Sequence, residues 1–456
     1  MTRSRLGFAR ADGTGRLGSL SATLGVGSTI QVLGALAGFV TVPIQIHTLG
    51  PSSFGVLVVV VSLAPWLTLV DGALYPATRL LAGESRHAGR LTVAPRLIRS
   101  ALHLALRIAA MNIVTLALGL LVLPLVAMFG SQGVADRSDL VLAIVCFALP
   151  ILVSGPGGVY LGALEGVGRT VVAAIFAGIG PLTALPLTVV AVAAGGDLPV
   201  LCAIQGVAVA LPRLCAWCYW HIRPSVDRSE SGGVTGALRM PLVWQMVLLS
   251  VGNVIQTGLD PVIVSSQLGA DSAGSFGVAN RIVYGALIPL LVLSPLFAAN
   301  LAAARGSGWS AGRNRELRHL VLQALVAGLF VGACVTSIGP VIARLLGVGQ
   351  VAVPFGLYAA GGAFVFVTFV STPLYLAFSG PRGMRRSVRL NVVLVVGNVA
   401  LSFALVNVVG PSGPLWASAL AGLSASLYWL VVWRRHPEWL AEVHTQPSPS
   451  PEVERG

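Results

Sequence analysis

Residues 253–281 read NVIQTGLDPVIVSSQLGADSAGSFGVANR, and the reading of this stretch decides the fold. It is the end of one apolar helix, a short polar turn, and the start of the next. Asp260 and Arg281 stand in surroundings almost free of other charge, with Pro261 directly after the acid. The apolar character continues in both directions. Over 456 residues only 10% are charged and 55% are apolar, and the mean hydropathy is +0.85. A soluble chain of this length needs a charged surface, so lipid is the main solvent and the expected class is an all-α, polytopic membrane protein. Of the 16 acids, only Asp71 and Asp260 fall well inside apolar spans. The net charge of +13 would suggest nucleic acid in a soluble domain, but no basic domain exists to hold it, so nucleic acid is not an expected partner.

Twelve spans reach the roughly 20 residues needed to cross about 30 Å of hydrocarbon. They are 19–47, 53–80, 99–129, 140–163, 170–194, 199–220, 241–266, 274–303, 319–345, 350–379, 388–409 and 414–433. Arginine placement tests this count. All 29 basic residues are Arg, and 24 of them fall on alternate loops and span edges once the N-terminus is set inside. By the positive-inside rule both termini are cytoplasmic. The organisation expected is a segment 1–17, a first unit 18–221, a cytoplasmic linker 222–240, a second unit 241–434, and a tail 435–456 whose Pro, Ser and Glu content predicts disorder. Arg without Lys, with abundant Ala and Gly, suggests a GC-rich bacterial genome and hence a bacterial plasma membrane. The five cysteines all lie in apolar helices; Cys215 and Cys218 form a C-x-x-C without the βαβ setting a redox motif needs, so they read as small packing residues.

The chain repeats itself. Leu49-Gly50-Pro51-Ser52-Ser53-Phe54-Gly55 returns 219 residues later as Leu268-Gly269-Ala270-Asp271-Ser272-Ala273-Gly274. Tyr160-Leu161 is matched by Tyr375-Leu376, and Tyr219-Trp220 by Tyr428-Trp429. Six spans separate the equivalents, an even number, so the halves share one orientation. Such parallel repeats hold substrate between the halves.

The segments LGPSSFGVLVVVVSLAPWLTLVDGALYPATRLLA and LDPVIVSSQLGADSAGSFGVANRI resemble the polysaccharide, or O-antigen-type, flippase family. That family belongs to the multidrug/oligosaccharidyl-lipid/polysaccharide (MOP) exporter superfamily. The first segment is similar to the family's LG-x-x-x-(F/Y)-G, apolar helix and D-x-G-L, here in the order D-G-A-L. In the second, Pro261 stands where members often have a basic residue, and Phe276 replaces a common Tyr. The resemblance implies two six-helix bundles around a central cavity. It also implies passage of a lipid-linked oligosaccharide to the outer leaflet, with membrane lipids, glycosyltransferases and the polymerase of the same pathway as candidate partners.

Two groups of residues are candidates for the substrate pathway. Asp260 and Arg281 lie at matching depths in adjacent spans, which predicts an interhelical ion pair, because a charge at mid-membrane costs about 2.5–3.5 kcal/mol unless it faces a partner or a cavity. Gln256 lies one turn from Asp260, and Asn280 directly precedes Arg281; amides suit sugar hydroxyls but also serve as glue between helices. In the first half, Arg99, His103 and Arg107 are spaced i, i+4, i+8 and so share one helix face. Such a stripe suits a pyrophosphate head group, since guanidinium forks bind phosphate oxygens in pairs. The alternative is a structural pair of Asp71 with Arg107. No metal cluster, nucleotide loop, catalytic triad or cofactor motif is visible. With no ATPase motif, an ion or substrate gradient must drive transport, and protonation of Asp260 or Asp71 is one coupling step. The competing readings are a multidrug cation antiporter of the same superfamily, a lipid II flippase (which often has fourteen spans), and a membrane polysaccharide-polymerising enzyme. The last typically needs a large outer loop that this chain lacks.

Overall fold

The fold is that of a computed structural model, which describes residues 15–69, 74–79, 81–82, 95–122, 137–222, 240–290, 294, 311–345, 351–378 and 381–437. Asp71, the linker 223–239, the segment before residue 15 and the tail from 438 lie outside the described residues. Among the described residues there is no strand.

The helical run Gly15–Val61 is broken at Gly50, whose φ of 76° and ψ of 165° no helix contains, into α1 (15–49) and α2 (51–61, continued by the turn Ala64–Leu67). α3 is Pro95–Val122. α4 runs Arg137–Ser154 and, across a tight turn at Gly155–Gly157, continues as Gly158–Gly166. α5 is Thr170–Ala193 and α6 Leu198–Ile222. α7 runs Met240–Gly258, bends at Leu259 and resumes as Asp260–Leu268; α8 is Ala270–Ala286. α9 is Ala311–Leu345, α10 Phe355–Ala377, α11 Pro381–Val409 and α12 Gly413–Arg435.

Nine helical runs among the described residues are long and apolar enough to cross a bilayer. Two of them, Thr29–Leu67 and Gly383–Arg435, are each two helices joined at a glycine of positive φ, Gly50 and Gly410. Adding α8, the described residues form twelve membrane helices in two bundles, as the sequence predicts. Several helices begin earlier than their apolar spans. α3, α9 and α11 start at Pro95, Ala311 and Pro381, because Arg- and Glu-bearing turns extend the helix past the lipid-facing run. Hydropathy marks contact with lipid and does not mark the end of a helix.

The repeat is visible in the backbone. Gly50 (φ 76°, ψ 165°) and Gly269 (φ 86°, ψ 170°) adopt the same conformation 219 residues apart. Only glycine enters that region without strain, which explains why the LG motif recurs. Gly195 and Gly410 form a second matched pair, with φ of 75° and 68°. The packing repeats as well. α1 packs on α5 as α7 does on α11, α4 on α6 as α10 on α12, and α5 on α6 as α11 on α12.

Where α2 crosses α8, the halves meet about a pseudo-twofold axis. A Cβ on Gly55 would collide with the Ala270 carbonyl, and one on Gly274 would sit 3.3 Å from the Pro51 carbonyl oxygen. Those two contacts exchange under a shift of 219. The Ser52 hydroxyl donates to the Asp271 carboxylate, and Gly277 faces Val58; each of these pairs is its own symmetry mate. The largest apolar core straddles this seam, joining Phe54, Val56 and Val60 to Ala273, Phe276 and Val283. At the arginine-rich end the halves touch again, where Val243 of α7 joins a small core with Leu74, Ala101, Ala105 and Val159.

Candidate functional site

The bend in α7 sets up the site. Pro261 lacks a backbone N–H and fits the first turn of a new helix better than the middle of an old one. The helix accordingly stops at Gly258 and restarts at Asp260. That restart leaves a carboxylate at a helix N-terminus, where unmatched N–H groups and the macrodipole favour negative charge. Asp260 is 7% exposed and faces a cavity of about 70 Å³ inside the second bundle. From α7, Asn253, Gln256 and Asp260 line it; from α8, Phe276, Asn280 and Tyr284; Phe364, Leu415 and Ser418 close it from α10 and α12. The α8 residues are four apart, one helical face.

The polar groups form a chain. The Ser418 hydroxyl shares the cavity with Asp260 and interacts with its carboxylate, and it lies 3.4 Å from Asn398 Oδ1. One hydroxyl proton cannot serve two acceptors. Asn398 is 2% exposed, and its Nδ2 has no partner. Turning the amide over resolves both difficulties: Nδ2 then donates to Ser418 Oγ, and Ser418 donates to Asp260. Asn391 donates to the Leu249 carbonyl at 3.4 Å and ties α11 to α7.

Of the predicted residues, Asp260, Gln256 and Asn280 are brought together on this cavity. Arg281 is not. The expected Asp260–Arg281 ion pair is absent: among the described residues the salt bridge present is Arg79–Glu165, at 3.3 Å. The reason is helical geometry. Successive residues turn about 100°, so the face that gives Asn280 to the cavity points Arg281 elsewhere. Its Nη1 lies 3.4 Å from where a Cβ on Gly38 of α1 would be, so Arg281 reaches across the seam to the other bundle.

The Arg99–His103–Arg107 stripe does not line the cavity either. These three are exposed on α3, while Leu97, Ala101, Ala105 and Ala109 on the opposite side are buried. The Asp71–Arg107 pair falls outside the described residues through Asp71. Sequence reasoning missed Ser418, Phe276 and Tyr284 as cavity residues. Periodicity could have found the last two, one turn either side of Asn280. No local signal separates Ser418 from the other small residues of α12.

Neither a family model nor a curated protein sequence matches the chain. Solved structures do. The chain is similar to the inward-facing conformation of a multidrug resistance MATE family transporter of the MOP superfamily, at a TM-score of 0.68 and 16% identity, covering 93% of this chain and 100% of that one. Against the outward-facing conformation of a MATE family transporter the TM-score is 0.62 at 15% identity, with 92% and 96% covered. A ligand complex of the MATE multidrug transporter DinF-BH gives 0.60 at 15% identity, with 96% and 98% covered. The chain therefore has the fold of MOP-superfamily transporters.

Proposed function

We propose that this protein is a transporter that moves an isoprenoid-pyrophosphate-linked oligosaccharide from the inner to the outer leaflet of a bacterial plasma membrane, by alternating access between its two bundles, for cell-surface polysaccharide synthesis. The observation that carries the reading is Arg281, which lies on the seam against Gly38 with no acidic partner among the described residues. A guanidinium within the membrane costs about 2.5–3.5 kcal/mol on insertion scales. An anionic visitor offsets that cost, and a diphosphate does so through paired charge-assisted hydrogen bonds. A lipophilic cation in the same pathway would be repelled.

The Asp260 cavity then has a different task. At about 70 Å³ it is far below the roughly 300 Å³ of ordinary ligand sites and has room for a few waters or a small cation. Transporters of repeat architecture build their substrate and coupling-ion sites at the breaks of discontinuous helices, and Asp260 stands at such a break. Asp260, Ser418 and Asn398 accordingly supply the ion-coupling step, and Arg281 meets the head group.

The second reading is export of cationic drugs by antiport. It is supported by the multidrug transporters among the structural neighbours and by Asp260 itself. Proteoliposomes separate the two. With a fluorescent isoprenoid-diphosphate oligosaccharide, the wild type should flip the lipid, Arg281→Gln should lose at least tenfold, and Asp260→Asn should lose its dependence on an ion gradient. Efflux of a lipophilic cationic dye that needs Asp260, without lipid flipping, would establish the antiporter instead.

A further inference from the structure

We propose that the exposed face of α3 is a docking strip for the diphosphate head group of a membrane lipid, taken sideways from the leaflet at the arginine-rich end. The inference rests on the reading of the chain as a transporter of lipid-linked saccharide, and it names where that substrate first binds.

The strip follows from one helix face. Arg99, His103, Arg107, Met111, Val114 and Leu118 recur every three or four residues, so they form one continuous line along α3. All are exposed. The outer part of the line is large and apolar, as a surface bathed in acyl chains should be; a face turned to a water-filled cleft would be polar. The cationic part therefore looks sideways into the bilayer at the arginine-rich end, below a band that contacts lipid tails. A lipid lying along α3 meets two guanidiniums and an imidazole at its head and apolar side chains along its tail.

Folding does not account for these cations. The side of α3 that packs is the other one, Leu97, Ala101, Ala105 and Ala109. Basic residues at this end that serve the fold have partners: Arg79 pairs with Glu165 at 3.3 Å, and Arg169 donates to the Tyr219 hydroxyl at 2.6 Å. Arg99 and Arg107 have none among the described residues, and α3 carries no acid. Each is about 6 Å of helix rise from His103, so a guanidinium and the neighbouring imidazole N–H can hold one diphosphate between them and pass it along. Arginine's planar fork suits that geometry where a point charge would not.

The test uses the full chain in nanodiscs of neutral lipid, with isoprenyl diphosphate as the probe. Arg99→Gln with Arg107→Gln should weaken binding about tenfold, leave the melting temperature unchanged, and raise half-saturation of flipping more than it lowers the maximal rate. The paired Lys substitutions should fall between the two. Unchanged binding in the double Gln variant overturns the strip. So does equal binding of inorganic pyrophosphate, which would mark a free-anion site, or equal competition by phosphatidylglycerol, which would mark a general anionic surface. If Asp71→Asn reproduces the loss, Arg107 acts through an ion pair and the strip also fails. The two proposals fail separately. Binding that depends on the strip without any saccharide-lipid flipping removes the transporter reading and leaves the strip. Flipping indifferent to the strip does the reverse.

Discussion

If the α2–α8 crossing is the point at which the halves close, a single methyl group at Gly55 should hold it open. A Cβ there would lie 2.6 Å from the Ala270 carbonyl carbon and closer still to its oxygen. Carbon atoms pack best at about 3.5–4.0 Å, so α2 and α8 must part by about 1 Å in Gly55→Ala. Both colliding atoms are backbone, and no side chain can rotate away. Overpacking of this kind costs about 1–3 kcal/mol, which would shift a two-state closed–open equilibrium toward open by about 5- to 150-fold. The symmetry mate is the control. A Cβ on Gly274 would be 3.3 Å from the Pro51 oxygen, so Gly274→Ala should cost a small fraction of that. The assay replaces Ser52 and Asp271, which hydrogen-bond across the crossing, with cysteines in a background free of Cys146, Cys202, Cys215, Cys218 and Cys334. Disulfide formation then reports the closed population. Gly55→Ala should slow cross-linking at least fivefold, and Gly274→Ala should leave it nearly unchanged. Equal rates in parent and Gly55→Ala, or a larger effect at Gly274, would refute the closed crossing.

At Gly38 the contact with Arg281 Nη1 is an ordinary 3.4 Å, so Gly38→Ala should keep transport and Gly38→Phe should abolish it by displacing the guanidinium, as read in the flipping assay. Trp429 is fully buried and stacked on Phe378 with centroids 5.0 Å apart and planes 10° from parallel; Trp429→Ala should destabilise by about 3–5 kcal/mol, measured by thermal unfolding in detergent. Arg79 and Glu165 are both part-exposed, so Glu165→Gln should cost no more than about 1 kcal/mol in the same measurement. Gln45 is 1% exposed, with both amide atoms unpartnered; because an unmet buried polar group costs about 1–3 kcal/mol, Gln45→Leu should raise the melting temperature, and a lower one would mean the amide holds a water.

The sequence made the frame legible because its signals are local. An apolar run of sufficient length specifies a membrane helix, and Leu49-Gly50 and Leu268-Gly269 record a backbone conformation that other residues avoid. The site was legible only in part, because a helix carries charges on several faces and sequence spacing does not say which face meets which neighbour. Asp260 and Arg281 were paired wrongly, since that inference used depth alone and the direction of each side chain was fixed by tertiary packing. The aromatic matches show the same limit. Tyr160 packs against Trp220 in the first half, whereas in the second Trp429 stacks on Phe378 and Tyr375 turns outward.

The pseudo-twofold also identifies what duplication did not copy. At the 219-residue offset Asp260 corresponds to Thr41 and Arg281 to Ser62, and both hydroxyls bond within their own helix, to the Ala37 and Val59 carbonyls. Asp71 is therefore not the first copy of Asp260; the first copy carries no charge at either position. The partners diverge as well. At the 215-residue offset of Gly195 and Gly410, Asn398 corresponds to Thr183 and Ser418 to Ala203, so at these two positions the first bundle does not repeat the hydroxyl and amide pair. A double exchange, Thr41→Asp with Asp260→Thr, tests this directly. Were the two bundles chemically interchangeable, it would keep ion-dependent transport. The asymmetry argues that it abolishes coupling and lowers stability, because a buried carboxylate at position 41 has lost the Ser418 hydroxyl, an interaction worth about 1.5–3 kcal/mol for a charged acceptor. Adding Ala203→Ser should then recover part of the stability without restoring transport, since Arg281 still faces the seam from the other half.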